Sequence, residues 1–279
     1  MINIIKAIFF GIVEGITEWL PVSSTGHMIL LNEFVKLDVS PDFWKMFLVV
    51  IQFGAILAVI LLYWKTIWPL GRSQQTGRIV WKRNTLALWE KTIVACIPAA
   101  AVGLALDDWL DEHLYNWLVV AVMLILVGIV FIVVENRNRD KVPARTRLED
   151  LTMKDAFLIG LFQLIAAVFP GTSRSGATII GGLMIGVSRT AAAEFTFILA
   201  IPVMAGASLL KIVKYLGSGS GLTGSEGLIL AVGLIVAFVV SVIIIRFLMS
   251  YIRRHDFKPF GVYRIILGIV VIAYFAIAG

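Results

Sequence analysis

The sequence predicts an all-α polytopic membrane protein: an inverted-topology repeat of six spanning helices plus two re-entrant helix hairpins. Three observations carry this expectation. The 279 residues are 59% hydrophobic and only 15% charged, and the mean hydropathy is +0.94, too apolar for a soluble domain of this size. Apolar stretches long enough to cross a bilayer run from Phe43 to Trp64, Trp89 to Leu106, Leu114 to Val134, Ala191 to Tyr215, Gly227 to Met249 and Pro259 to Ala278. Finally, Ala7, Gly11, Glu14 and Pro21-Val-Ser-Ser-Thr-Gly-His27 return in altered form, at a constant offset, as Ala156, Gly160, Gln163 and Pro170-Gly-Thr-Ser-Arg-Ser-Gly176.

Taken in order, residues 2–31 are apolar but interrupted by Pro21 and the hydroxyl-rich residues after it. The halves are about 10 to 18 residues, and those shorter than about 17 cannot span at 1.5 Å per residue, so a hairpin of two half-helices is expected. Its irregular turn must be buried in protein or face water, because lipid cannot satisfy freed backbone groups. Three spans follow, completing a first repeat over 1–134. Residues 135–155 form a polar cytoplasmic linker. The second repeat, 156–279, opens with a hairpin over 156–187 broken at Pro170 and continues with three more spans. Three is odd, so the second repeat starts on the opposite face from the first, which inverts its topology.

Charge orients the bundle. Lys65, Arg72, Arg78, Lys82 and Arg83, then Arg137, Arg139, Lys141, Arg145, Arg147 and Lys154, then Arg246, Arg253, Arg254 and Lys258 fall on one face, which is therefore cytoplasmic. The other face receives Lys6, Lys36, Lys45, Lys211 and Lys214, an acidic turn at Asp107, Asp108, Asp111 and Glu112, and a flexible loop from Gly217 to Gly221. The net charge of +6 reflects these flanking residues, and no zinc spacing or aromatic-lined groove points to nucleic acid. Trp19, Trp44, Trp64, Trp68, Trp81, Trp89, Trp109 and Trp117 mostly sit at helix ends, as an interfacial belt would. The lone Cys96 permits no intramolecular disulfide. The N-terminus lacks a basic n-region followed by a small-residue cleavage site, and its apolar stretch is interrupted by Glu14, Thr17 and Glu18, so no cleaved signal peptide is expected.

The polar residues at membrane depth carry the chemistry. Glu14 and Glu18 share one helical face and require a compensating charge, for which Arg174 is the natural candidate. Ser23 and Ser24 sit where they could cap a half-helix; with His27 and the two glutamates they also satisfy the inventory of a covalent hydrolase. The second turn has no acid or base. Its guanidinium, hydroxyls and half-helix amides suit an anion with several oxygens. Gln52 and Gln163 suit either helix bridging or substrate contact, and Gly181, Gly182 and Gly186 suit helix packing.

At these residues the sequence resembles the integral-membrane undecaprenyl-pyrophosphate phosphatase family, the bacitracin-resistance proteins. Glu14-Gly-Ile-Thr-Glu18, Pro21-Val-Ser-Ser-Thr-Gly-His27 and Pro170-Gly-Thr-Ser-Arg-Ser-Gly-Ala-Thr178 fit its motifs in order. The resemblance implies hydrolysis of undecaprenyl diphosphate to the monophosphate and phosphate at the outer face of the bacterial cytoplasmic membrane, recycling the lipid carrier for cell-wall synthesis. It further implies dependence on a divalent cation, Mg2+ or Ca2+, which Glu14 and Glu18 could hold. Glu14, Glu18, Ser24, His27 and Arg174 are the expected catalytic residues, with Ser23, Thr25, Ser173, Ser175 and Thr178 around the diphosphate. The expected partners are the prenyl lipid, the bilayer and a second copy of the chain. Acid-phosphatase-like lipid phosphatases are disfavoured, because His113 and His255 lie in expected loops on opposite faces.

In the expected reaction Ser24 attacks the terminal phosphorus and His27 or Glu18 accepts its proton. Arg174 and half-helix amides stabilise the equatorial oxygens. The rival is a transporter or flippase for an anionic prenyl lipid, since broken helices in inverted repeats are also a carrier signature.

Overall fold

The computed structural model describes residues 1–73, 77–217 and 221–278. In chain order the helices are α1 (Ile2–Thr17), α2 (Ser24–Phe34), α3 (Pro41–Leu62), the single turn α4 (Trp64–Ile67), α5 (Arg83–His113), α6 (Trp117–Asn138), α7 (Met153–Val168), α8 (Arg174–Met184), α9 (Arg189–Gly217), α10 (Gly224–Ile252) and α11 (Lys258–Ala278). Six of them, α3, α5, α6, α9, α10 and α11, are long and apolar enough to cross a membrane. Several helix starts follow capping chemistry: Ser40 before α3, Asn116 before α6, and reciprocal capping boxes at Thr152 with Asp155 before α7 and Thr223 with Glu226 before α10.

Several expectations need correction. The acidic stretch around Glu112 is no turn but the last turns of α5, which runs on to His113. The linker is shorter than 135–155, because α6 continues to Asn138 and α7 begins at Met153. Between α4 and α5 the chain forms a small antiparallel ribbon, β1 (Leu70–Arg72) with β2 (Ile79–Trp81), pairing Gly71 with Val80. Trp19 does not belong to an interfacial belt; it is fully buried and packs edge-on against Phe197 at 5.2 Å. The middle of the expected loop from Gly217 to Gly221 lies outside the described residues.

Without a hydrophobic force between helices in lipid, close association needs small residues that let backbones touch. Such residues form the main seams. On α1, Gly11 and Gly15 lie against α10, and on α7, Gly160 lies against α5, where an added Cβ would sit 2.5 Å from Ala95 O. α6 and α11 meet glycine on glycine, with Gly128 facing Gly261 O and Gly261 facing Gly128 O. Gly181 and Gly182 likewise meet Phe162 and Ala192, whereas Gly186 serves a turn at φ +86°. The pairings exchange with the halves of the chain: α1 on α10 answers α7 on α5, α3 on α10 answers α9 on α5, and α3–α9 and α6–α11 join the halves.

Polar ties show where the two helix pairs open. Asn3 Nδ2 donates to Asp38 O at 3.2 Å, so the start of α1 lies beside the chain leaving α2. Arg145 donates from Nε to Asp155 on α7 at 3.1 Å and from Nη1 to Ile185 O after α8 at 3.4 Å, closing the second pair in the same way. That second mouth shares its end of the molecule with Glu135, fully buried on α6, which pairs with Arg189 of α9 and accepts from the Phe257 amide at 2.9 Å. The first mouth lies among the ends of α3, α9 and α11, as Phe43–Tyr215 and Phe34–Tyr274 contacts show.

The glycine seams make a direct prediction. A Cβ on Gly54 would lie 2.2 Å from Leu234 O on α10, whereas one on Gly103 meets nothing within 4 Å. Gly54→Ala should destabilise by about 1–3 kcal/mol through overpacking, and Gly103→Ala should stabilise by up to about 1 kcal/mol. Thermal unfolding in detergent measures both.

Candidate functional site

Both helix breaks have the same local cause. A proline lacks the amide that would extend a helix and biases its predecessor away from helical backbone; Pro98 and Pro202 are accommodated inside α5 and α9, but at each break a serine follows the proline and caps the next half-helix. Ser23 Oγ accepts from the Gly26 amide at 3.3 Å, and Ser173 Oγ accepts from the Gly176 amide at 3.2 Å. Both caps have positive φ, 74° and 69°, a conformation that costs a non-glycine residue of order 1–3 kcal/mol. These matching caps revise the repeat. The second turn holds one more residue between proline and cap, with Gly171 at φ +90° and within 2.6 Å of Val120 O at its Cβ position. A constant offset would match Ser24 with Ser173; the fold instead matches Ser24 with Arg174, the first residues of α2 and α8.

Those two residues converge on one carboxylate. Glu18, in the turn after α1, accepts from Ser24 Oγ at Oε2, 2.9 Å, and from Arg174 Nη2 at Oε1, 2.8 Å. Arg174 is further held by Thr196 O at 3.1 Å and lies 6.0 Å over the Trp19 ring. The ion pair is largely dry, with side-chain exposures of 13% for Arg174 and 8% for Glu18. Arg174 therefore neutralises Glu18 rather than Glu14.

Glu14, one turn earlier on α1, is fully buried, and neither carboxyl oxygen has a hydrogen-bond partner. The charged groups that act on it are Glu18 and Arg174. Its repeat counterpart Gln163 donates from Nε2 to Ala95 O at 3.4 Å, a plain helix bridge. An ionised carboxylate with no partner is costly at such a site, so Glu14 has open capacity for a cation. Two carboxylates fit Mg2+, which is held by one or two carboxylates plus phosphate oxygens and water. Among the described residues no group of three or more His, Cys, Asp or Glu gathers to hold an ion without such help.

His27, one turn into α2, does not contact Ser24 by hydrogen bond. Its Nδ1 lies 2.7 Å from Ser23 O, and its Nε2 lies 2.6 Å from the Tyr263 hydroxyl. Four of the five expected diphosphate contacts are engaged within the protein. Ser23 and Ser173 cap helices, Ser175 Oγ donates to Glu18 O at 3.0 Å, and Thr178 is fully buried, donating to Arg174 O at 2.9 Å and accepting from Thr196. Thr25 sits with Ser24 and His27 on the partly exposed side.

Arg264 on α11 is a member of the centre that the sequence motifs do not include. It is fully buried and donates to Pro21 O at 3.2 Å, Gly171 O at 2.8 Å and Thr172 O at 2.8 Å. One guanidinium thus binds both turns together and satisfies carbonyls that no helix can reach. The signal was present: a single arginine inside an otherwise apolar span.

The chain matches the sequence profile of the family described as bacitracin resistance protein BacA over residues 7–270. It is similar to an undecaprenyl-diphosphatase of Desulfitobacterium hafniense, 59% identical over 99% of this chain and 97% of the relative. Undecaprenyl-diphosphatase 1 of Clostridium acetobutylicum is 57% identical over 99% and 98%. An undecaprenyl-diphosphatase of Acetivibrio thermocellus is 55% identical over 99% and 98%.

The two glutamates should respond differently to amidation. Glu18→Gln breaks a buried ion pair and should cost about 3–5 kcal/mol, while Glu14→Gln removes an unpartnered carboxyl and should leave stability unchanged or higher. Unfolding in detergent without added divalent cation distinguishes them.

Proposed function

The chain belongs to the bacitracin resistance protein BacA family, and we infer that it is an undecaprenyl-diphosphatase, a multi-pass membrane enzyme that hydrolyses undecaprenyl diphosphate to undecaprenyl phosphate and inorganic phosphate. The observation that carries the chemistry is the pair of hydrogen bonds on Glu18, one from a hydroxyl and one from a guanidinium. Together they hold a nucleophile, its base and an anion binder within one hydrogen-bonded unit.

In the proposed reaction the terminal phosphate of the lipid enters beside Ser24, and Arg174 turns its fork to two phosphate oxygens. Ser24 Oγ already directs its proton at Glu18, so Glu18 rather than His27 takes that proton as the Oγ–P bond forms. The bridging P–O bond breaks and prenyl phosphate leaves. Water then attacks the phosphoserine, Ser24 recovers its proton, and phosphate departs. Most of the acceleration in such a transfer comes from positioning and charge neutralisation, which the dry Glu18–Arg174 pair supports. A divalent cation held by Glu14, with Glu18 beside it, would supply further neutralisation of the diphosphate. The unpartnered Glu14 oxygens support that assignment.

The reading places the centre at the bilayer midplane, with α1–α2 and α7–α8 as re-entrant hairpins of oppositely oriented repeats. By the distribution of Lys and Arg, the mouth of α1–α2 faces the outer side of the cytoplasmic membrane, where the lipid carrier would be recycled for cell-wall synthesis. Opposed hairpins would also suit a carrier, but a carrier has no evident use for a serine hydroxyl hydrogen-bonded to a buried carboxylate.

Phosphate release from prenyl diphosphates by the detergent-solubilised protein tests this. Ser24→Ala should lower turnover by at least about 10^3-fold, and Arg174→Lys should lower kcat/KM by about 10- to 100-fold, the worth of the charge-assisted hydrogen bonds that one ammonium cannot replace. A chelator should abolish release, and Mg2+ or Ca2+ should restore it. Wild-type turnover in Ser24→Ala would reject the serine nucleophile, and indifference to chelation would reject the metal.

A further inference from the structure

α11 brings a second polar side chain to this centre, one residue before Arg264. His27 Nδ1 faces the Ser23 carbonyl at 2.7 Å, and a carbonyl oxygen can only accept, so the proton of the neutral ring is on Nδ1 and the lone pair on Nε2. The Tyr263 hydroxyl, 2.6 Å from Nε2, is therefore the donor. The two rings are parallel to within 4°, with centroids 5.6 Å apart. Tyr263 lies on the outer wall, 44% exposed, beside the outward-facing Val262. The chain of contacts thus runs from a residue of the C-terminal helix, through His27, to the carbonyl of a cap held at φ 74°, and the next residue is Ser24.

We propose that Tyr263 is a positioning residue for the reaction: by donating to His27 Nε2 it holds the imidazole in one tautomer and orientation, and through the Nδ1–Ser23 bond it fixes the strained turn that presents Ser24. A strained backbone conformation persists only where its surroundings over-determine it, and this contact is one of those surroundings. Others are Arg264, which holds Pro21 O two residues earlier, and the Gly26 amide on the Ser23 hydroxyl. The inference rests on Ser24 being the nucleophile, and it assigns to His27 an orienting role rather than that of base.

Tyr263→Phe keeps the ring and removes only the hydroxyl. With a prenyl diphosphate in detergent micelles, it should lower kcat about tenfold, the order of one lost hydrogen bond, with KM changed less than about twofold and the unfolding temperature unchanged. In a His27→Ala background the same substitution should have no further effect, because the intermediary is already gone. Unchanged kcat in Tyr263→Phe, a loss that multiplies with that of His27→Ala, or a rise in KM at constant kcat would each overturn the proposal. So would wild-type turnover in His27→Ala alongside a dead Ser24→Ala, an outcome that leaves the phosphatase centre standing. An active Ser24→Ala instead rejects the reading of the centre itself, and this inference with it.

Discussion

Glu18 is the point on which the two halves of the molecule close. It comes from the first half, and its partners at 2.9 and 2.8 Å are the first residues of α2 and α8. A buried carboxylate is tolerable only when paired and hydrogen-bonded, so the folded state requires both half-helices to arrive with their N-terminal ends facing this residue. Arg174 cannot satisfy Glu18 unless α8 is seated, and α8 is seated against α9 and α7. The requirement for neutrality at one buried atom group thereby specifies the docking of one half on the other.

That constraint explains the peculiar backbone of the turns. Two serines at positive φ are an unfavourable way to start a helix, yet each directs its successor inward while its own hydroxyl caps the amide three residues ahead. Arg264 contributes what the turns lack: donors for carbonyls that have left one helix and not joined the next. Strain, cap and guanidinium form one device, repeated on both sides of the centre and shared at Arg264. Because the duplicated turn carries serine on one side and arginine on the other, a single symmetric scaffold presents a hydroxyl and a guanidinium to the same carboxylate.

Much of this was legible without coordinates. Composition and run lengths indicate six spans, and the helix boundaries differ from the apolar runs mainly where caps and charged turns extend the helices, as at Arg83 and His113. Proline followed by serine marks both breaks, because the missing amide and the capping hydroxyl act locally. The polar set at membrane depth points to Glu14, Glu18, Ser24 and Arg174 because burying such groups in lipid is costly and a chain keeps them there chiefly for function. Less accessible were Trp19, a helix-end tryptophan by sequence but a buried floor under Arg174, and Arg264 and Tyr263, whose partners lie in the two turns and in α2, far away along the chain.

The sequence by itself determined the helices, their breaks, the family and which polar residues the two turns carry, since these depend on hydropathy, capping and residue chemistry over a few neighbouring positions. Only the tertiary structure decided the pairings: that Ser24 directs its proton at Glu18 and not His27, that Arg174 neutralises Glu18 while Glu14 is left open, and that the caps align with a one-residue shift. Those outcomes are competitions between donors for the same few acceptors, and they are settled by distances that arise only when the first residues of α2 and α8, and Arg264 of α11, have met at the turn after α1.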